Sequence, residues 1–222
     1  MSNAAYQKVF SEVCSQDVED DGLSFPSETI RVERIRDEEA YEGVRVRLEA
    51  RLGNVRIPLQ IDVGFGDAIV PAPEELEFPT LLKAPAPKLK AYPKESVVAE
   101  KFEAIVKLGM ANSRMKDFYD LWVLARRFEF ENATLAAAIQ ATFETRRTSL
   151  PSSLPLAFSA DFWQSPNKQT QWKAFLRKSG LNANSELEGT IRLILEFVMP
   201  VVEGISKGNR GKKIWQAGGP WK

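Results

Sequence analysis

The sequence predicts an α+β fold, with a sheet-bearing N-terminal lobe followed by a helical C-terminal lobe. Three observations predict it. From Val44 to Val63 apolar residues recur at every second position, the period of a strand with one buried face. Between positions 71 and 95 the chain carries six of its 13 prolines, which a helix does not tolerate. Beyond Lys94 the apolar spacing changes to that of helices. The apolar fraction of 44% over 222 residues is enough to fill a core.

The elements follow in order. A first strand is expected over Thr29–Ile35. Val44, Val46, Leu48, Ala50 and Leu52 then alternate with Arg45, Arg47, Glu49 and Arg51. Gly53-Asn54 is a two-residue turn signal. Alternation resumes with Val55, Ile57, Leu59, Ile61 and Val63. With that turn, Arg45 sits opposite Asp62 and Arg47 opposite Gln60. Pro58 has no N–H to give a ladder, which suits an edge strand or a bulge. The proline-rich stretch reads as an extended crossing segment. Helices are expected over Lys94–Met110, Met115–Phe128, Asn132–Arg146, Lys168–Ser179 and Ser185–Ser206. Thr148–Asn167, with Pro151, Pro155 and Pro166, reads as a loop, and the glycine-rich basic end as a frayed tail. The expected division is residues 1–92 for the sheet lobe with its connection and 93–222 for the helical lobe.

Composition excludes several chemistries. There is no histidine, so Ser-His-Asp and Cys-His catalysis and imidazole-held metals are ruled out. The single cysteine, Cys14, forms no intrachain disulfide or thiolate cluster. What remains is carboxylates, Lys, Arg, hydroxyls and a hard cation such as magnesium. Lys plus Arg equals Asp plus Glu, 30 against 30, which excludes a polycation built to coat nucleic acid. The balance hides an acidic front and a basic back. Glu12–Glu42 holds 11 acidic and 3 basic residues, and Thr145–Gly180 holds 6 basic and one acidic. Such runs are first of all solvated surface. No leader of basic then apolar residues opens the chain, and the apolar stretch Ile191–Val202 is too short to span a bilayer. A cytoplasmic location without a membrane partner is expected.

Five groups of side chains draw notice. Asp62 lies on a strand beside Gly64 and Gly66, where a carboxylate could hold a metal close to backbone, or could simply pair with Arg45. Lys101 falls among Val97, Ala104 and Leu108 at helical spacing. It is either a lysine whose stem covers the core or a phosphate-binding charge. Asp117 and Asp120 share a helix face. Asp117, leading into Leu121, Leu124 and Phe128, should point to the core side. It is either a first-turn carboxylate favoured by the helix dipole or the group that orients Lys101 or a metal. Arg114 and Lys116 sit at the same helix start and could meet phosphates, with Asn112 and Ser113 as N-cap choices. Trp122 reads as core, whereas Trp215 and Trp221 could stack on a base.

The segments LQIDVGFGD (Leu59–Asp67), AYPKESVVAEK (Ala91–Lys101) and AEKFEAIVKLGMANSRMKDFYDLW (Ala99–Trp122) occur in order and at matching spacing. In these the sequence resembles the AbiEii/AbiGii nucleotidyltransferase toxin family. The resemblance implies an incomplete polymerase-β-like nucleotidyltransferase lobe with a mixed sheet, followed by a helical lobe. It implies a toxin of a toxin–antitoxin or abortive-infection system, with NTP as substrate, Mg2+ as cofactor, tRNA as an acceptor and a cognate antitoxin as partner. Carried over by motif, Asp62 matches a metal-site carboxylate. Lys101 matches the lysine facing the nucleotide and Asp117 the acid of the KD motif. Arg114, Lys116 and Asp120 fall in the nucleotide-binding neighbourhood. The family's first motif, a glycine–small-residue turn followed by D-x-D on a strand, does not precede Asp62. Two metal carboxylates are therefore missing, and this chain is expected to be inactive in transfer. The alternative is a non-catalytic remnant that binds antitoxin or RNA.

Overall fold

Gly53 adopts the positive φ of 56° that the predicted turn needs, and the strands on either side fall into register from it. A computed structural model describes residues 2–36, 42–81, 83, 85–181, 186–208 and 211–222. Asp37, Glu38 and Glu39 of the acidic run, Ser185 at the predicted start of the last helix and Arg210 of the basic tail lie outside the described residues. The chain divides into two compact units, Met1–Asp67 and Ala68–Lys222.

The first unit opens with a helix that sequence reading did not foresee, α1 (Asn3–Cys14), capped by the Ser2 hydroxyl accepting from the Ala5 N–H. Its signal is the four-residue spacing of Tyr6, Phe10 and Cys14, which places the three on one face. Strands β1 (Leu23–Ser24), β2 (Arg31–Arg36), β3 (Glu42–Leu52) and β4 (Val55–Gly64) form one antiparallel sheet. β4 pairs with β3 along its length, and β1 and β2 share the other edge of β3. Arg45 stands opposite Asp62 and Arg47 opposite Gln60, as the turn position dictates. Pro58 lies on β4, an edge strand, where a missing donor is tolerated. Val44, Val46 and Leu48 pack with Tyr6 and Ile30 into a small core. The alternation on β4 is not matched by burial, since Val55, Ile57 and Ile61 stay exposed.

The second unit begins with the proline-rich stretch. It is not a bare crossing segment, because β5 (Glu74–Glu77) and β6 (Lys88–Ala91) pair within it as a two-stranded ribbon. Helices α2 (Lys94–Leu108), α3 (Met115–Arg127), α4 (Asn132–Thr145), α6 (Pro166–Lys178) and α7 (Leu187–Ser206) fall within two residues of their predicted bounds. The short strand β7 (Phe130–Glu131) precedes α4, and the expected 148–167 loop holds the short helix α5 (Ala160–Trp163). The buried faces repeat at three and four residues: Val98, Phe102 and Ile105 on α2, Phe118, Leu121 and Ala125 on α3, Ile191, Ile194, Phe197 and Val201 on α7. Phe102, Phe118, Phe158 and Phe162 interlock through stacked and edge-on ring contacts. Among the described residues no helix is long and apolar enough to cross a membrane.

The predicted frayed tail is corrected. Strand β8 (Ile214–Trp215) pairs with β7, and Trp215 is 1% exposed. Its indole N–H donates to the Ala125 carbonyl at 2.7 Å, and that of Trp221 to the Phe197 carbonyl at 2.9 Å. Both rings pack on Phe197. Trp215 is held as core and offers no platform for a base, while Trp221 is partly buried against that core.

Candidate functional site

Lys101 projects from α2 at the margin of its buried face, between the buried Val98 and Ile105 and the half-buried Val97 and Ala104. It meets α3 there. Its Nζ lies 2.7 Å from Asp117 Oδ1 and 2.7 Å from Asp120 Oδ2. Asp117 and Asp120 are three residues apart, so one helix face presents both carboxylates to one ammonium. Burial acts to lower the Lys101 pKa, but the bonds to Asp117 and Asp120 outweigh it and raise the group above its ordinary 10.5. Asp120 also accepts from Lys116 Nζ at 2.5 Å, one turn before it on α3.

The start of α3 is built differently from the predicted cap. The cap position is Arg114, which makes no side-chain capping bond. Asn112 acts earlier: its Oδ1 accepts the Arg114 N–H at 2.7 Å, an Asx-type turn that leads the chain into the helix. The first turn of α3 forms one wall of an open groove of about 580 Å³, lined by Ser113, Arg114, Met115, Lys116 and Asp117. The other wall is α6, through Gln171, Ala174 and Phe175. Arg114 and Lys116 are exposed. With the N–H end of α3 they make a positive rim, a setting that suits an anion.

Sequence reasoning missed the α6 wall. Its one visible signal was the basic excess around Lys168, Lys173 and Arg177, which does not single out Gln171 or Phe175.

Asp62 belongs to the first unit. Arg45 grips it with two bonds, Nε to Oδ1 at 2.8 Å and Nη2 to Oδ2 at 2.9 Å, and Gln60 Nε2 adds a third at 3.3 Å. Arg45 holds the carboxyl below its ordinary 3.8, against the smaller opposing effect of desolvation. A lone carboxylate whose two oxygens both serve a guanidinium does not make a hard-cation site, which calls for several oxygen ligands. Among the described residues no group of three or more acidic or thiol side chains could hold a metal ion. Among the described residues Asp62, engaged by Arg45, does not by itself make a site for a resident magnesium ion.

Of the residues picked from sequence, Lys101, Asp117, Asp120 and Lys116 form one bonded cluster, and Arg114 shares the groove with Lys116 and Asp117. The family model described as nucleotidyl transferase AbiEii toxin, Type IV TA system, matches residues 2–190. No curated protein matches the chain.

Proposed function

The chain belongs to the AbiEii nucleotidyl transferase toxin family of type IV toxin–antitoxin systems, and from that premise we propose that its helical unit binds the phosphates of an NTP for nucleotidyl transfer. The observation that carries this reading is the bonded set Lys101, Asp117 and Asp120, beside a groove rimmed by Arg114 and Lys116. Arg114 and Lys116 are exposed cations that can meet phosphate oxygens without first being desolvated. Lys101 is held with its ammonium between two carboxylates, a fixed charge whose direction is set before a ligand arrives. Asp117 orients it and Asp120 restrains Lys116. The acceptor in this reading is an RNA such as tRNA, and the regulator a cognate antitoxin.

Asp62 enters this reading only as one member of a metal site. Because Arg45 already occupies it and no D-x-D precedes it, transfer by these 222 residues alone is expected to be absent or weak.

A second reading has an observation of its own. Each carboxylate picked from sequence is neutralised by a cation within 3 Å: Asp62 by Arg45, Asp117 and Asp120 by Lys101. A fold that keeps these pairs for stability, and binds antitoxin or RNA through its basic surface, would look the same in this respect.

Labelled NTP, a divalent cation and total tRNA separate the two. Under the first reading, transfer of label by the gene product is lost in Lys101→Ala and Asp117→Ala variants that still fold. Unchanged transfer in both would overturn the first reading, and no transfer by the folded wild-type protein would favour the second.

A further inference from the structure

A buried lysine that the preceding reading leaves unused is Lys168. It sits in the first turn of α6 and is 6% exposed, an unusual place for a lysine without a carboxylate. Among the described residues none forms an ion pair with it. Its Nζ donates instead to the backbone carbonyl of Asn112 at 2.7 Å and stands 5.0 Å from the centre of the Phe162 ring. Burial pushes its amine down from the ordinary lysine value. An apolar side chain would avoid that cost, so the position calls for a reason beyond packing.

Its partner supplies one. Asn112 is wholly buried. Its carbonyl takes the Lys168 ammonium, its N–H donates to the Gly109 carbonyl at 3.2 Å, and its Oδ1 takes the Arg114 N–H. The Asp117 N–H then closes on the Arg114 carbonyl at 3.0 Å. A continuous path of hydrogen bonds thus runs from α6, through the buried Asn112, into the first turn of α3. Those two elements are the walls of the groove.

We propose that Lys168 is a positioning residue: by holding the Asn112 carbonyl it fixes the first turn of α3 against α6, and so sets the groove in which Arg114 and Lys116 meet phosphate. The proposal rests on the nucleotide reading for its ligand but not for its geometry. A charged donor is suited to the task, because a bond from an ammonium to a carbonyl in a dry site is stronger and more directional than apolar packing. Phe162 supports the charge through its ring face.

The test uses the full chain with Lys168→Met, which keeps the stem and loses the ammonium, and Lys168→Arg, which keeps a donor. Amide hydrogen exchange and calorimetric titration of ATP are measured on each. In Lys168→Met, exchange across 112–117 is expected to rise about ten-fold while α4 and α7 keep their protection. ATP affinity is expected to fall by about the same factor, in keeping with one lost charge-assisted bond. Lys168→Arg recovers part of both. Exchange that stays unchanged at 112–117, or that rises evenly through the helical unit, overturns the proposal. Should Lys168→Met fail to fold, Lys168→Gln, whose shorter neutral side chain loses the ammonium bond to the Asn112 carbonyl, must loosen 112–117 ahead of the rest of the helical unit or the proposal fails. If the wild-type chain binds no ATP, the nucleotide reading falls, and the exchange pattern still decides the role of Lys168.

Discussion

Lys101 and Asp117 come from separate helices, sixteen residues apart, yet Lys101 Nζ and Asp117 Oδ1 stand 2.7 Å apart with both side chains largely shielded from water. Asp120 shares the same ammonium. Removing the ammonium in Lys101→Met leaves two neighbouring carboxylates with less charge to balance them. The variant is expected to lose roughly 1.5–3 kcal/mol of stability, the range for hydrogen bonds to charged groups. In an Asp117→Asn, Asp120→Asn background the same change should cost distinctly less. Urea denaturation of the four proteins in the cycle measures the coupling.

The pH dependence of this cluster has a definite sign. The folded Lys101 pKa lies above its ordinary 10.5. Its contribution to stability is therefore complete below pH 10.5 and is lost as pH rises through the folded value. Wild type should lose stability on that alkaline limb more steeply than Lys101→Met, as followed by denaturant midpoints.

Asp62 gives the opposite limb. Arg45 holds its folded pKa below the ordinary 3.8. The stability it adds is present above pH 3.8 and is lost as pH falls through the folded value. The pair is exposed, so the effect is small. Arg45→Glu, which sets like charges directly opposite on β3 and β4, should lower the melting temperature slightly. Adding Asp62→Arg should restore most of the loss, and thermal melting of both variants checks the swap.

At the far end of the chain, Gly219 has a φ of 86°, and a Cβ there would stand 2.8 Å from the ring carbon Cη2 of Trp215. Gly219→Ala therefore combines a disfavoured backbone with overpacking, and should cost about 1–3 kcal/mol. Trp215→Ala, which empties a buried indole site, should cost about 3–5 kcal/mol. Calorimetric melting decides whether the C-terminal segment is part of the cooperative unit.

Much of this fold was legible because local signals agreed with one another. Gly53-Asn54 sets the hairpin register, and once the register is set the Arg45–Asp62 pair follows without further information. The helices were legible from apolar spacing alone, since each buries one face. Three features were not. α1 is signalled only by Tyr6, Phe10 and Cys14, and its first residues resemble an unstructured start. The two tryptophans of the tail carry no periodic pattern, and their burial depends on Phe197 and Ala125 from distant helices. The α6 wall of the groove was hidden for the same reason. Nothing local marks Lys168 as the donor to Asn112, because 56 residues separate them. The Lys101 cluster lies between these cases. Asp117 and Asp120 sharing a face is local arithmetic, whereas their meeting with Lys101 is tertiary.

The nucleotide assignment stands or falls on calorimetric titration of ATP into the folded wild-type chain, Lys101→Met and a variant with both Arg114→Gln and Lys116→Gln. Saturable binding by the wild type is expected. It should weaken about ten-fold or more in each variant, with melting behaviour that shows both still folded, in line with the loss of charge-assisted phosphate contacts. A folded wild-type chain that binds no ATP, or equal affinity in all three proteins, contradicts it.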